Sequence, residues 1–477
     1  MMKLRQTVIA VSLAFPLLAS AQSTTQMQSE IDALKAQVKE LQDLVKSHTM
    51  TAAPAAAPDA EPTVSLEEFN RIKTKVEAAD DVKETNGMNK LRISAGINPV
   101  YIYDQNKNAS GFSFANNPNT FAYDDSVFGI AYLDVQKEME GGTKFHLTLM
   151  PTKSSTNSAA GAPTSIIQEA SASIPFAGND NRLLVGQIPD VSGYEPTYPT
   201  YVGENNISTN LLYPSYPTYF ITHNLLFDFT AASYYTGVGL DLLRDSGYWE
   251  FKLFAANVNN SRNDSKLSAG ANQANQNEGF IYNAAYTENE FWGFEFTGYY
   301  IPGMATPNGG EGTVNQFEID GNFTRGDFNG NLQFVTGSQQ NGAYTLDANG
   351  NPQTSYWSGL SLLLSERLSP KWSVAGRFDY IYNQQNGGGI FTLTTPNAVG
   401  SNTGDAINGF GPDVADPTTG TNRQALSLAA SYRLNQNTTL RGEFRRDFAS
   451  TNAFYDFNSG NPTSTNNLFA LSAMVNF

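Results

Sequence analysis

Cysteine is absent from this chain of 477 residues. Disulfide frameworks, thiol nucleophiles and thiolate metal sites are excluded with it, and an oxidising compartment is permitted without being required. Histidine is nearly absent as well. His48, His146 and His223 are far apart in sequence, too few and too scattered for a transition-metal cluster, and no cofactor is expected. Long apolar runs are missing beyond the first 21 residues. A helix that crosses a bilayer needs about 20 consecutive apolar residues, so a helical membrane protein is excluded. Positive charge is the scarcer sign: 29 Lys and Arg against 45 Asp and Glu give a net charge of −16. No basic stripe with interleaved aromatics exists to bind nucleic acid.

What the chain has in quantity is aromatic side chains, 12% of residues with 30 Phe and 23 Tyr, together with 40 Gly. Mean hydropathy is nevertheless negative. Both hold at once when apolar residues take every second position of strands, one face toward an apolar medium and the other toward water. The last ten residues, LFALSAMVNF, have this form, with Phe469, Leu471, Ala473, Val475 and Phe477 on one face. At the other end, Lys3 and Arg5, an apolar stretch from Val8 to Ala19 and the pattern Ala19-Ser20-Ala21 predict a secretory signal peptide over 1–21, cleaved after Ala21. An exported chain without Cys that closes on an amphipathic strand and a terminal Phe resembles the β-barrel proteins of the Gram-negative outer membrane. The resemblance implies residence in the bacterial outer membrane among its lipid and lipopolysaccharide. It also implies that Phe477 belongs to the insertion signal read by the barrel-insertion machinery.

Composition changes three times before the barrel region. Ile31, Leu34, Val38, Leu41 and Val45 fall at alternating steps of three and four, with charged residues on the other faces. This spacing predicts a short N-terminal periplasmic coiled coil over 22–50, and its β-branched and Leu core positions favour two strands in an isolated parallel coil. A single amphipathic helix on the periplasmic rim fits the same spacing. TAAPAAAPDAEP then begins a semi-rigid Ala/Pro linker over 51–64. Ser65 and Glu68 form a capping box for a second short helix over 65–86.

From 90 to 477 the pattern is alternation, broken by two kinds of connection. Seven short polar turns, at Glu138–Gly142, Gly178–Asn181, Arg244–Gly247, Thr287–Glu290, Arg325–Asp327, Ser369–Lys371 and Asn435–Asn437, alternate with eight stretches rich in Asn, Gly, Ser and Thr. With both chain ends on the short-turn side, this predicts an all-β fold: a 16-stranded antiparallel transmembrane β-barrel. Trp249, Trp292 and Trp372 each open a strand just after a short turn. They would form a membrane girdle on one rim, a clustering that a secreted β-sandwich leaves unexplained.

The opposite faces of the strands carry charge. Arg92, Arg377, Arg441 and Arg445 fall on strands 1, 13 and 15, neighbours once the barrel closes, and Glu250, Glu295, Glu318 and Asp320 on strands 7 to 10. An Arg or Lys at mid-height on the lipid side costs about 2–4 kcal/mol, so these rows are expected to line the lumen, basic on one wall and acidic on the other. Sixteen strands enclose too wide a lumen to be filled by wall side chains. The connection after strand five, about 189–229, contains Asp190, Glu195 and Glu204, five Pro, many Tyr and neither Lys nor Arg. Its apolar content suits packing on the inner wall.

Strand count and this long connection resemble the general porins, in which the loop after the fifth strand folds inward and sets the constriction. The resemblance implies a homotrimer whose subunits are water-filled diffusion channels for small hydrophilic solutes or ions, here weakly cation-leaning. The plan also resembles the OmpL-like porins, with local likeness from Gly193-Tyr194-Glu195 to Leu211-Leu212-Tyr213, and the phosphate-selective porins. A connection without Lys or Arg argues against oxyanion transport. A second reading is a structural anchor, its barrel plugged and its coil bound to the cell wall or a periplasmic partner. No enzyme is expected, because no His is placed to activate a Ser on an outward face.

Overall fold

The computed structural model describes residues 69–75, 89–113, 131–150, 167–178, 180–195, 219–231, 234–244, 248–259, 278–289, 291–306, 310–388, 409, 411–416 and 418–477. Two compact units divide the chain, Met1–Val82 and Lys83–Phe477. In the first, 69–75 is helical, within the expected second helix; the signal peptide, the coil and the linker lie outside the described residues. No described helix is long and apolar enough to cross a membrane.

The second unit is a closed antiparallel barrel of sixteen strands. β1 runs in two pieces, Leu91–Ile97 and Val100–Asp104. They part at Asn98-Pro99, where proline has no N–H to give the ladder. β2 is also in two pieces, Ala109–Ser113 and Ala131–Glu138, each paired with the corresponding piece of β1. β3 (Lys144–Leu149), β4 (Ile167–Pro175), β5 (Asn181–Pro189), β6 (Tyr234–Arg244) and β7 (Trp249–Asn259) follow. Then come β8 (Glu278–Asn289), β9 (Trp292–Ala305), β10 (Glu311–Arg325), β11 (Phe328–Gln339) and β12 (Ser355–Arg367). β13 (Trp372–Tyr382), β14 (Arg423–Arg433), β15 (Thr438–Ala449) and β16 (Thr465–Asn476) complete the wall, and β16 pairs back onto β1.

The seven short turns fall at seven strand connections. One of the tightest joins Arg325 to Phe328, partners in the ladder, through Gly326 and Asp327. Gly326 has φ +62°, the left-handed backbone that a primed hairpin turn requires and that glycine reaches without strain. The eight connections at the other end are less uniform than expected. β1 and β2 are joined by a four-residue turn, 105–108, in which Asn108 takes φ +47°. β10 begins soon after β9 ends, at Glu311 after Ala305. Asn and Gly serve tight turns as readily as long loops, so composition alone does not give length.

Alternation sets the two faces. On β16, Phe469, Leu471 and Val475 are exposed, while Leu468, Ala470, Ser472 and Met474 between them are buried. On β13, Trp372, Val374, Phe378 and Tyr382 are exposed, while Arg377, Asp379 and Ile381 are buried. An exposed apolar exterior of this extent is the inverse of a soluble surface. Wall height varies around the barrel: β3 has 6 residues and β4 and β5 have 9 each, against 14 in β9 and 15 in β10.

Candidate functional site

The candidate site is the barrel interior. Residues 190–195 and 219–231 of the β5–β6 connection are described, and both pieces pack on inner wall side chains. Leu225–Thr230 forms a short helix, α1, whose N-cap Asn224 accepts from the Phe227 N–H, supplying one of the partners that a first turn lacks. Leu225, Phe229 and Val191 join a buried apolar cluster with Tyr235, Ile281, Tyr299, Val314, Trp357 and Ile381. Ile221 packs with Val100 and Ile102 of β1 and Leu468 and Ala470 of β16. The connection therefore touches wall on opposite sides of the lumen.

Charge fixes it there. Arg377 donates to Glu195 Oε1 (2.7 Å), to the carbonyls of Thr222 (2.9 Å) and His223 (2.7 Å), and to Asp379 on its own strand (3.1 Å). Arg445 donates to the same His223 carbonyl (2.7 Å) and to Asp447 (3.0 Å), which also receives Arg423 (2.9 Å). Glu443, between them, accepts the backbone N–H groups of Ile221 and Thr222. Arg441 reaches the Phe220 carbonyl at 3.3 Å and Ser472 Oγ at 3.1 Å. The Phe220 ring lies 4.5 Å from the Arg377 guanidinium, a cation–π distance. Guanidinium suits this role because its planar fork serves several acceptors at once and stays charged when buried.

Side chains from β6 to β13 hold the other piece. Asp190 accepts from the Tyr235 hydroxyl and from Ser192, and Glu195 also accepts the Asn224 N–H at 2.7 Å. Tyr194 and Ser361 share a hydrogen bond of 2.6 Å, and Ser361 donates to Asp379 at 2.6 Å. Gly193 has φ +74°, and a Cβ there would sit 2.6 Å from Gln333 Nε2, so close approach and backbone conformation both demand glycine. Glu318 accepts from Gln333 (2.9 Å), Glu295 from Asn283 (3.0 Å), and Glu250 pairs with Lys252 (2.7 Å). Asp320 faces Glu295 across the ladder.

Arg377, Arg441 and Arg445, expected to line the lumen, are buried and bonded to the connection instead of meeting water. The wall carrying them is not of one sign either, since Asp379, Glu443 and Asp447 alternate with them. Arg92 stands apart: it is exposed, whereas Arg441 lies opposite Ser472 and, through it, Val100, far along β1. Glu204 lies outside the described residues. Trp249 and Trp292 both pack on Phe294 and Tyr286, and Trp372 packs on Tyr432 with the rings tilted, one aromatic band across β7–β9 and another at β13–β14. Phe477 is exposed, and its backbone exchanges hydrogen bonds with Ala95.

Four residues of this interior were not singled out from sequence. Asp447 continues the row Arg441-Glu443-Arg445 by the same step of two, so its signal was present. Arg423 opens β14 behind a long connection, where a strand start is hard to read. Asp134 of β2 and Glu169 of β4 flank His146 of β3, at 2.5 Å from Nε2 and 2.8 Å from Nδ1. Thr148 and Ser171 donate to the same two carboxylates, each at 2.7 Å. Both ring nitrogens facing carboxylates is an arrangement suited to an imidazolium. Among the described residues no group of three His, Asp or Glu is disposed to hold a metal ion. At the tip of the β11–β12 connection, Asp347 accepts the N–H groups of Asn349 and Asn351, both at 2.8 Å. The Asn351 backbone and side chain hold its carboxyl below the ordinary value.

A family model described as a protein of unknown function, DUF3138, matches residues 2–288 and 296–477. The chain belongs to the DUF3138 family. No curated protein matches it. Among solved structures, it is similar to a loop L8 deletion mutant of OmpT, an outer membrane protein of Vibrio cholerae (10% identity, 81% of this chain and 99% of that one, TM-score 0.47). It is also similar to an anion-selective porin from Comamonas acidovorans (9% identity, 81% and 99%, TM-score 0.46). A third is the outer membrane channel DcaP of Acinetobacter baumannii (9% identity, 81% and 97%, TM-score 0.47).

Proposed function

We propose that this DUF3138 chain is an outer-membrane porin, a diffusion channel for small hydrophilic solutes or ions in which the β5–β6 connection, about 189–229, forms the constriction. The observation that carries the reading is one barrel with an exposed apolar exterior, a charged interior and a connection held inside by Arg377, Glu443 and Arg445. In this reading, 1–21 is removed on export, 22–50 forms the periplasmic coil, Phe477 marks the chain for insertion among lipid and lipopolysaccharide, and three copies assemble. The aromatic bands at Trp249, Trp292 and Trp372 sit at the membrane interface.

A weak cation preference follows from Asp190, Glu195, Glu204 and the acidic row of β7 to β10. The wall guanidiniums Arg377 and Arg445 oppose it less than their number suggests, because the carboxylates of Asp379 and Asp447 lie beside them. The apolar cluster around α1 favours a second reading, a barrel closed by its own connection and used as an anchor. Planar-bilayer recording under a salt gradient separates the two. Open steps with a cation-leaning reversal potential support the porin, and folded protein without current supports the anchor. Neutralising Glu195 and Glu204 together should move the reversal potential toward zero. An unchanged potential would remove the loop from the selectivity argument.

A further inference from the structure

We propose that the β5–β6 connection and the barrel mouth opposite the short turns are one mechanical unit, coupled through Arg423 and Asp447, so that displacing the mouth connections loosens the connection inside. The consequence for transport rests on the channel reading, whereas the coupling concerns the fold alone.

Arg423 opens β14 and Asp447 stands two residues before the end of β15, so both lie at the barrel end away from the short turns. There Arg423 touches three connections. Its guanidinium donates to the Gly409 carbonyl in the β13–β14 connection and lies 4.3 Å from the Phe454 ring in the β15–β16 connection. It also lies 5.9 Å from the Phe229 ring of α1, within cation–π range. Gly409 has φ +70°, and a Cβ there would collide with Phe454 and Arg423, so the contact is built around glycine. The two mouth connections are laced to each other as well. The Asn452 N–H goes to Asp413 Oδ2 and the Val414 N–H to the Asn452 carbonyl, both at 2.9 Å.

The inner tie starts from the same carboxylate. Asp447 Oδ1 accepts from Arg423 at 2.9 Å and from Arg445 at 3.0 Å, and Arg445 continues to the His223 carbonyl at 2.7 Å and to Thr222 Oγ1 at 3.2 Å. Arg423, Arg445 and Asp447 are all fully buried. Away from water, each member of such a network depends on the others, and a half-satisfied network is costly. Removing the Arg423 guanidinium takes one of two cations from Asp447 and opens a gap between α1 and Phe454. Arg445 then loses the fixed carboxylate that aims it at residues 222 and 223. A disturbance at Gly409 or Phe454 thus reaches the inner connection through buried contacts alone.

Backbone amide exchange tests the coupling, because the Ile221 and Thr222 N–H groups are bonded to Glu443 and report on the inner connection. Gly409→Ala displaces Arg423 from the mouth side and leaves the sequence of every strand intact, and Arg423→Gln removes the guanidinium. Both should speed exchange at 221–222 by about fivefold or more. Gly350→Ala, at another glycine of the same end with φ +81° and no described atom within 4 Å of its Cβ, should not. Unchanged exchange at 221–222 beside faster exchange at 414 and 452 overturns the coupling. Acceleration spread evenly through the β14 and β15 ladder, or produced equally by Gly350→Ala, overturns it too. Exchange is read whether or not the barrel conducts. A silent barrel with the coupling would remove the channel reading alone, and a conducting barrel without it would remove this inference alone.

Discussion

On β13 and β15, Arg377 and Arg445 hold the connection packed over them, through carbonyls of Thr222 and His223 and through Glu195. On β2 to β4, His146 instead meets Asp134 and Glu169 on the strands to either side. Both walls bury ionised groups among opposite charges, as burial demands, yet the two arrangements hold different things. The first ties a wall to a separate length of chain, so its loss frees that length while the ladder stays. The second ties three neighbouring strands together on the side where strands are shortest. A barrel built this way separates the device that governs its interior from the device that keeps its weakest wall closed.

Arg377→Ala should break the contrast most severely. It leaves Glu195 and Asp379 buried without their guanidinium, and unpairing a buried ion pair costs about 3–5 kcal/mol. That cost falls on the connection, so protease cleavage between 190 and 224 should appear while the barrel keeps its heat-modifiable migration. In the channel reading, single-channel steps should become larger and noisier. Arg377→Lys should recover only part of the effect, because one ammonium cannot serve the same four acceptors. A variant whose whole barrel unfolds would show that the β13–β15 wall depends on its tie to the connection.

His146→Ala should act on the other wall. Asp134 and Glu169 would face each other's charge across a cavity, a loss of about 3 kcal/mol of wall stability. The temperature at which the barrel loses its compact migration should fall, and the conductance of the remaining folded channels should not change. The double variant with Arg377→Ala sharpens the comparison. The two sites share no partner, so their effects should add within about 0.5 kcal/mol, and a larger coupling would mean that the connection also braces the short strands β2 to β4.

Much of this was readable before any coordinates. The step of two in Phe469-Leu471-Ala473-Val475, the seven short turns and the Trp residues that follow three of them lead to sixteen strands, because face and turn are local properties of the chain. The breaks in β1 and β2 were not readable, since a proline at position 99 and a tight turn at Asn108 resemble ordinary loop chemistry. The fate of the inward charges was hidden for a different reason. Alternation says that Arg377 and Arg445 point inward, but it cannot say whether water or a carbonyl more than 150 residues away in sequence meets them. His223, whose backbone carbonyl receives both guanidiniums, leaves no mark of that role in composition at all.

Ile221→Val, the smallest expected effect, probes where the connection leaves the β13–β15 wall and reaches the seam of β1 and β16. Ile221 is the residue that crosses, buried against Val100, Ile102, Leu468 and Ala470. Its own N–H still goes to Glu443, so trimming the side chain tests packing without touching the charges. Ile221→Val should cost about 1 kcal/mol, the usual loss for one buried methylene. Ile221→Ala should cost about 2–4 kcal/mol if the cavity does not collapse. Expressed in the connection, the first would raise current noise slightly and the second would approach Arg377→Ala. Expressed instead as a lower unfolding temperature with unaltered current, either result would place Ile221 among the residues that close the barrel seam, and the division between the two walls would have to be redrawn through position 221.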